Sequence, residues 1–336
     1  YTYEDWQNIE ETSYENYRLM SDIDFSGKND IKCNLCMNRL VSDGKALKNI
    51  KLTWNTRQNG LIKQMKSELR NIRFENIDIE NTASGNYAGI ILSSSADIDI
   101  LELESIQINA KNMNYVAPIS NVELGKINGV MFNNVKVNGM KYTAGLIGRS
   151  KENVEIGEVN GDSIIINASG PCSGGVLGAM ENGVIQNVEV EDSEIRGTDY
   201  VGGIVGSGGV RFGRMVSSEI EGKTYVGGVA GILNRATDEP SDQEFIVEKC
   251  KIFSAGSYLG GIAGYMNYGT QRCVVEGCLI EGTTVNADRV GGVAGYVVFS
   301  SIGKKVVKNT QIKSLGNDIG GIVGYFEAEV LLNGVF

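Results

Sequence analysis

YVGGIVG, residues 200–206, sets three glycines among β-branched residues. A strand so rich in glycine gives up side-chain packing and backbone entropy, so a single copy would read as a weak strand or a loop. The motif recurs as YVGGVAG at 225–231, YLGGIAG at 258–264, VGGVAG at 290–295 and IGGIVG at 319–324. Taking the second glycine of each pair as a ruler, Gly175, Gly203, Gly228, Gly261, Gly292 and Gly321 are 28, 25, 33, 31 and 29 residues apart. The ruler extends backwards through Gly145 in YTAGLIG, Pro118 in YVAPIS, Gly89 in YAGII and Gly60 in NGLI, giving about ten copies with a mean period near 29. A fixed period of this size is the signature of a solenoid or related array.

Between the glycine elements the sequence alternates, as in NIRFENIDIE, LELESIQINA, FNNVKVNG and IQNVEVEDSEIRG. Alternation over four to eight residues with Val and Ile marks half-buried strands, and helical periodicity is absent. A repeat of 29 residues is short for a four-stranded propeller blade and fits one coil of a parallel β-helix. In that fold each strand pairs with its counterpart one coil away at about 4.8 Å, so equivalent residues stack. Two such ladders are visible: Tyr87, Tyr115, Tyr142, Tyr200, Tyr225 and Tyr258 just ahead of the glycines, and Ile77, Ile106, Val135, Ser193, Ser218, Cys250, Cys278 and Thr310 at a second position. The corner glycines Gly89, Gly145, Gly175, Gly203, Gly228, Gly261, Gly292 and Gly321 either supply φ > 0 or let neighbouring backbones approach closely.

The fold class expected is therefore all-β, a right-handed parallel β-helix of about ten coils with a small N-terminal α/β cap. Residues 1–50 do not follow the repeat and are assigned to the cap: TYEDWQNIEE suits a short amphipathic helix presenting Trp6 and Ile9, and YRLMSDIDFSG a strand entering a turn. Residues 51–336 are assigned to the coils. The last stretch, EVLLNGVF, matches the opening of a further coil, ENGVIQNV, and the chain reads as a piece of a longer protein.

Composition bounds the chemistry. The chain has 336 residues, with 31 basic and 41 acidic side chains interspersed for a net charge of −10. Nucleic acid and anionic membrane surfaces need a positive footprint and are not expected as partners. No apolar run approaches the length of a membrane span, so membrane insertion is not expected. There is no histidine, which removes HExxH zinc sites, Ser-His and Cys-His nucleophile pairs and histidine bases. CNLC at 33–36 lacks the further ligands of a zinc site and the βαβ context of a redox motif, leaving a local disulfide or two free thiols. Cys250 and Cys278 should stack as buried thiols. No catalytic residue, metal or cofactor is assigned. The nearest carboxylate–arginine group is Arg211 and Arg214 beside Glu219 and Glu221, the kind of cluster a β-helical polysaccharide hydrolase or lyase would use. The SGGV-type run at 207–210 has a phosphate cradle's composition without its helix or lysine.

The YVGGIVG and VGGVAG copies resemble the GLUG motif. The layout of YRLMSDIDFSG, then NGLI and LRNIRFENIDI, then successive GG repeats, resembles the β-helical N-terminal region of Gram-positive immunoglobulin A proteases and related zinc metallopeptidases. That resemblance implies a secreted or cell-surface bacterial protein, with other domains of the parent protein and a host protein or glycan as partners, and a zinc motif in a separate downstream domain.

Overall fold

A computed structural model of the chain describes residues 2–151, 154–234, 243–267, 270–298 and 302–327. EVLLNGVF lies outside the described residues. The rest is nearly all parallel β-structure, a β-solenoid of about nine turns with the arrangement of a right-handed β-helix. The ten markers, nine glycines and Pro118, enclose nine intervals.

The register is the repeat made physical. Val154–Ala168 pairs on one side with Gly125–Gly139 and on the other with Gly183–Glu191 and Glu194–Arg196, always parallel. The apolar half of each alternation points inward. Phe74, Phe132 and Phe245 fill the widest parts of the core, with Ile and Val between them.

At the N-terminus, helix α1 (Tyr3–Gln7) is closed by a capping box between Thr2 and Asp5. Trp6 lies edge-on to Phe25 at 5.7 Å between ring centroids, its indole N–H donating to the Lys32 carbonyl at 3.0 Å. Trp6 and Ile9 are buried, so this segment covers the end of the core as expected. The division at residue 50 is not where the ladder begins. Strands β1 (Glu15–Leu19) and β2 (Ile23–Asp24) already pair in parallel with β3 (Leu35–Trp54), which pairs along most of its length with β4 (Gln58–Asn81). Only about the first 14 residues stand outside the pairing. The early coils escape the glycine ruler because Asn34, at φ 59°, stands where later coils carry the motif, its N–H bonded to the Gly60 carbonyl at 2.8 Å.

The corners divide two tasks that the sequence had offered to glycine alone. Gly203 and Gly228 do not have positive φ. They permit close approach: a Cβ at Gly203 would collide with the Gly228 carbonyl oxygen, and one at Gly228 with that of Gly261. The left-handed turn falls on the residue three places earlier, at Tyr142, Cys172, Tyr200, Tyr225, Tyr258, Arg289 and Asp318, with φ from 51° to 68°. A second corner repeats the device at Asn49, Asn76, Ser105, Asn134, Ser163, Asp192, Ser217, Lys249, Gly277 and Asn309. Because one left-handed residue turns the chain, β3 and β4 run through their corners without leaving the ladder.

Two stability outcomes follow. Gly228→Ala should cost about 2 kcal/mol or more, since a carbonyl must move, whereas Gly213→Ala, whose Cβ would meet only side-chain carbons of Ile204, Val210 and Phe245 at 3.0 to 3.4 Å, should cost clearly less. Equal urea midpoints for the two would refute the close-approach account. Ile100 is β-branched yet held at φ 55°, and Ile100→Asn should stabilise by about 1 kcal/mol in the same assay.

Candidate functional site

The tyrosine ladder forms, with one interruption. Tyr87, Tyr115 and Tyr142 stack at 4.9 Å and 4.9 Å between centroids. Cys172 occupies the next rung, and the stack resumes as Tyr200, Tyr225 and Tyr258 at 5.1 Å and 4.4 Å. From Tyr142 onwards each ring sits on a left-handed residue, a conformation costing roughly 1–2 kcal/mol. Face-to-face aromatic contact, at about 0.5–1.5 kcal/mol per pair, offsets a comparable amount.

A second tyrosine ladder runs beside the first. Tyr265, Tyr296 and Tyr325 stack at 5.3 Å and 5.4 Å, and Tyr265 and Tyr296 meet Tyr225 and Tyr258 edge-on at 6.2 Å and 5.6 Å. Arg289 takes the rung after Tyr258 and lays its guanidinium over Tyr258, Tyr296 and Tyr325 at 4.9, 5.0 and 4.7 Å. It also donates to the Tyr258 hydroxyl at 2.5 Å. Arg149 plays a similar part at the other end, 5.9 Å from both Tyr115 and Tyr142 and ion-paired with Glu181. The wall is thus an aromatic and guanidinium surface with hydroxyls at its edge, broken at Cys172. Sequence reasoning missed the second ladder. Its signal was a tyrosine directly after the last glycine of three successive motifs, GY at 264–265, 295–296 and 324–325.

The opposite kind of surface lies over the middle coils. Glu102, Glu104, Met131, Asp162, Glu189 and Glu191 line an open groove of about 490 Å³. The Glu191 carboxyl sits above the ordinary glutamate range because it shares a hydrogen bond with Glu189; partial burial and the Glu189 charge add to this and Arg214 opposes it. Arg214 pairs with Glu189 and also reaches Glu248 at 2.9 Å and Glu191 at 3.6 Å. The grouping expected from RFGRM is therefore corrected: Glu219 and Glu221 belong to Arg196, at 3.1 Å each, and Arg211 donates to Gln186 at 3.3 Å. Arg214 and Glu219 share a stretch of sequence but stand on opposite sides of the Ser217 corner, and partners come from neighbouring coils.

The remaining candidates are structural. Ser207 to Val210 lie within the strand Val205–Val216, paired on both sides, and form no phosphate loop. Cys33 and Cys36 are free thiols, with Cys33 pushed up to about 12 by burial. Cys250 and Cys278 stack as expected in a hydroxyl and thiol ladder. Ser193, Ser218, Cys250, Cys278 and Thr310 each donate to the carbonyl two residues back, at 2.5, 2.7, 3.2, 3.3 and 2.9 Å. Among the described residues no three His, Cys, Asp or Glu side chains converge as a metal site. No protein-family model, curated protein or solved structure matches the chain.

The wall carries a titration signature. The Tyr296 hydroxyl bonds to the Glu327 carboxylate, which holds the phenol up to about 12, with burial and the carboxylate charge contributing. Since the folded value lies above the ordinary value near 10, this pair's stabilisation is complete below pH 10 and is lost as pH rises towards 12. Tyr3, Tyr14, Tyr142, Tyr225 and Tyr265 are also raised, so absorbance titration of the tyrosines should show several late phenols, and Glu327→Gln should move the Tyr296 phenol down. An identical titration curve in that variant would refute the assignment.

Proposed function

We propose that this chain is a non-catalytic, extracellular β-helical module of a large bacterial surface protein, acting as a rigid spacer and as an adhesive surface for a host protein or glycan. In a metallopeptidase parent, the same module would position substrate for the downstream catalytic domain. The observation that carries this reading is the double tyrosine wall. Ring edges and hydroxyls, with faces bared where a stack breaks, suit glycans and peptides alike, and a parallel ladder presents them at fixed spacing along an axis of roughly 45 Å. Elsewhere, charged side chains pair across coils, as in Lys126–Glu155 at 3.1 Å and Lys308–Glu276 at 2.7 Å. These are solvated pairs that keep a long surface soluble.

A β-helical carbohydrate-active enzyme is the alternative, and the acidic groove with its raised Glu191 carboxyl is the observation in its favour. Against it, glycoside cleavage needs two carboxyls about 5 Å or more apart, on either side of the scissile bond. Glu189 and Glu191 are hydrogen-bonded to each other and bound by one arginine.

The chain should bind a subset of immobilised host glycans or glycoproteins, lose that binding when Tyr265 and Tyr325 are both changed to Ala, and release no reducing sugar from a polysaccharide panel. Sugar release abolished by Glu191→Gln would establish the enzyme instead.

A further inference from the structure

The interruption at Cys172 is a defect of defined size. Cys172 is on the same rung position as the flanking tyrosines: Thr143 N–H bonds to the Cys172 carbonyl at 3.1 Å, and Cys172 N–H to the Asp199 carbonyl at 2.9 Å. Tyr142, Cys172 and Tyr200 share the left-handed corner, at φ 51°, 65° and 59°. The two tyrosines therefore stand two rungs apart, about 10 Å at roughly 4.8 Å per rung. Everywhere else in this column neighbouring rings lie 4.4 to 5.1 Å apart. One ring is missing, and its two neighbours each have a face with no ring against it.

The adjacent column is also low here. Arg149 is followed by Ala179 and Ser207 before Ile232 and Tyr265 restore bulk. The charges at the gap are mixed. Lys141 and Asp199 directly precede Tyr142 and Tyr200 in the chain, and the Arg149 guanidinium lies 5.9 Å from the Tyr142 ring, so one carboxylate and two cations stand near the gap; burial holds the Cys172 thiol up, with Asp199 raising it further and Arg149 and Lys141 opposing. Asp199 accepts from Thr224, and Arg149 is fixed by Glu181 and donates to the Tyr115 hydroxyl at 3.4 Å.

We infer that the Tyr142–Cys172–Tyr200 gap is a subsite for one pyranose ring of a glycan, sandwiched between the two tyrosine faces with its hydroxyls bonded to Asp199, Arg149 and Lys141. A sugar ring has apolar C–H faces and a polar rim. The gap offers apolar faces along the axis and both donors and an acceptor at the edge, matching that pattern in each direction. A bare aromatic ring would satisfy the faces and leave the charged edge unused. The thiol is only the floor, protonated and inert. This subsite rests on the binding reading above and gives it a location.

The decisive variant is Cys172→Tyr, which completes the ladder with the residue that four other rungs carry in the same left-handed corner. Saturation-transfer NMR and tyrosine fluorescence titration would use oligosaccharides of glucose, galactose, N-acetylglucosamine and sialyllactose, with tyramine as the aromatic control. At least one sugar should bind at millimolar concentration, and Cys172→Tyr should weaken it about tenfold or more with an unchanged or raised melting temperature. Lys308→Ala, at an exposed ion pair with Glu276, should leave that affinity unchanged. Should Cys172→Tyr fold poorly, Tyr142→Ala and Tyr200→Ala must each give the same loss. Three results overturn the subsite: no sugar binding, tyramine binding more tightly than every sugar, or sugar binding that survives Cys172→Tyr. Survival accompanied by sensitivity to Tyr265→Ala would refute the gap while leaving the wall as the binding surface. Glycoprotein capture on the array without free-sugar binding likewise separates the two failures.

Discussion

Parallel, in-register hydrogen bonding between coils places every side chain about 4.8 Å from its counterpart in the next coil. All other features of the molecule answer to that spacing. A residue type that stacks well on itself can be repeated, as tyrosine, asparagine, isoleucine and the hydroxyl and thiol residues are here. A type that repels itself gains by alternating with its opposite, although Glu194 faces Glu219 and Glu248 faces Glu276. Glu244 faces Arg272 and Glu276 faces Lys308 for this reason, each such exposed pair adding little stability but removing a like-charge clash.

The same spacing explains why glycine and tyrosine share a corner. The chain must turn sharply and the next coil must follow the same path one rung away. Glycine clears the carbonyl of the coil behind it, and the tyrosine three residues earlier takes the left-handed turn. Asparagine takes four of the ten left-handed positions at the second corner, where its amide can bond along the column, as Asn76 does to Asn49 at 2.7 Å. Tyrosine is a costlier choice for φ > 0 and is tolerated where a ring above and below returns the energy.

What could be read from the sequence was whatever repeats. The glycine period, the first tyrosine ladder and the Cys250–Cys278 stack all recur at near-constant intervals and needed no knowledge of side-chain contacts. What could not be read was substitution within a ladder. Arg289 replaces a ring by a guanidinium and reaches three tyrosines in two columns, which no spacing rule foretells. Arg214 finds partners 25 and 34 residues away on both neighbouring coils, not the glutamates close by in sequence. The start of the ladder at Glu15 was hidden because coils with asparagine at the corner carry no glycine mark. The candidate site was half legible: its rings were visible, its second column and its arginines were not.

Departures from the ladder are therefore the informative places on such a surface. Where the rule is kept, each group is already satisfied by its neighbour in the stack and has little left to offer a ligand. Two breaks lie on the surfaces described above. In the groove, Asp162 and Glu191 face each other on adjacent rungs, and the Glu191 carboxyl is raised by its hydrogen bond with Glu189, by burial and by the Glu189 charge, which Arg214 only partly relieves. At Cys172 a ring is left out between two tyrosines that would otherwise have been covered. The first break is resolved internally, by a shared hydrogen bond and an arginine. The second leaves no aromatic ring between Tyr142 and Tyr200 among the described residues, so it is the place where an external ring gains most from completing the stack.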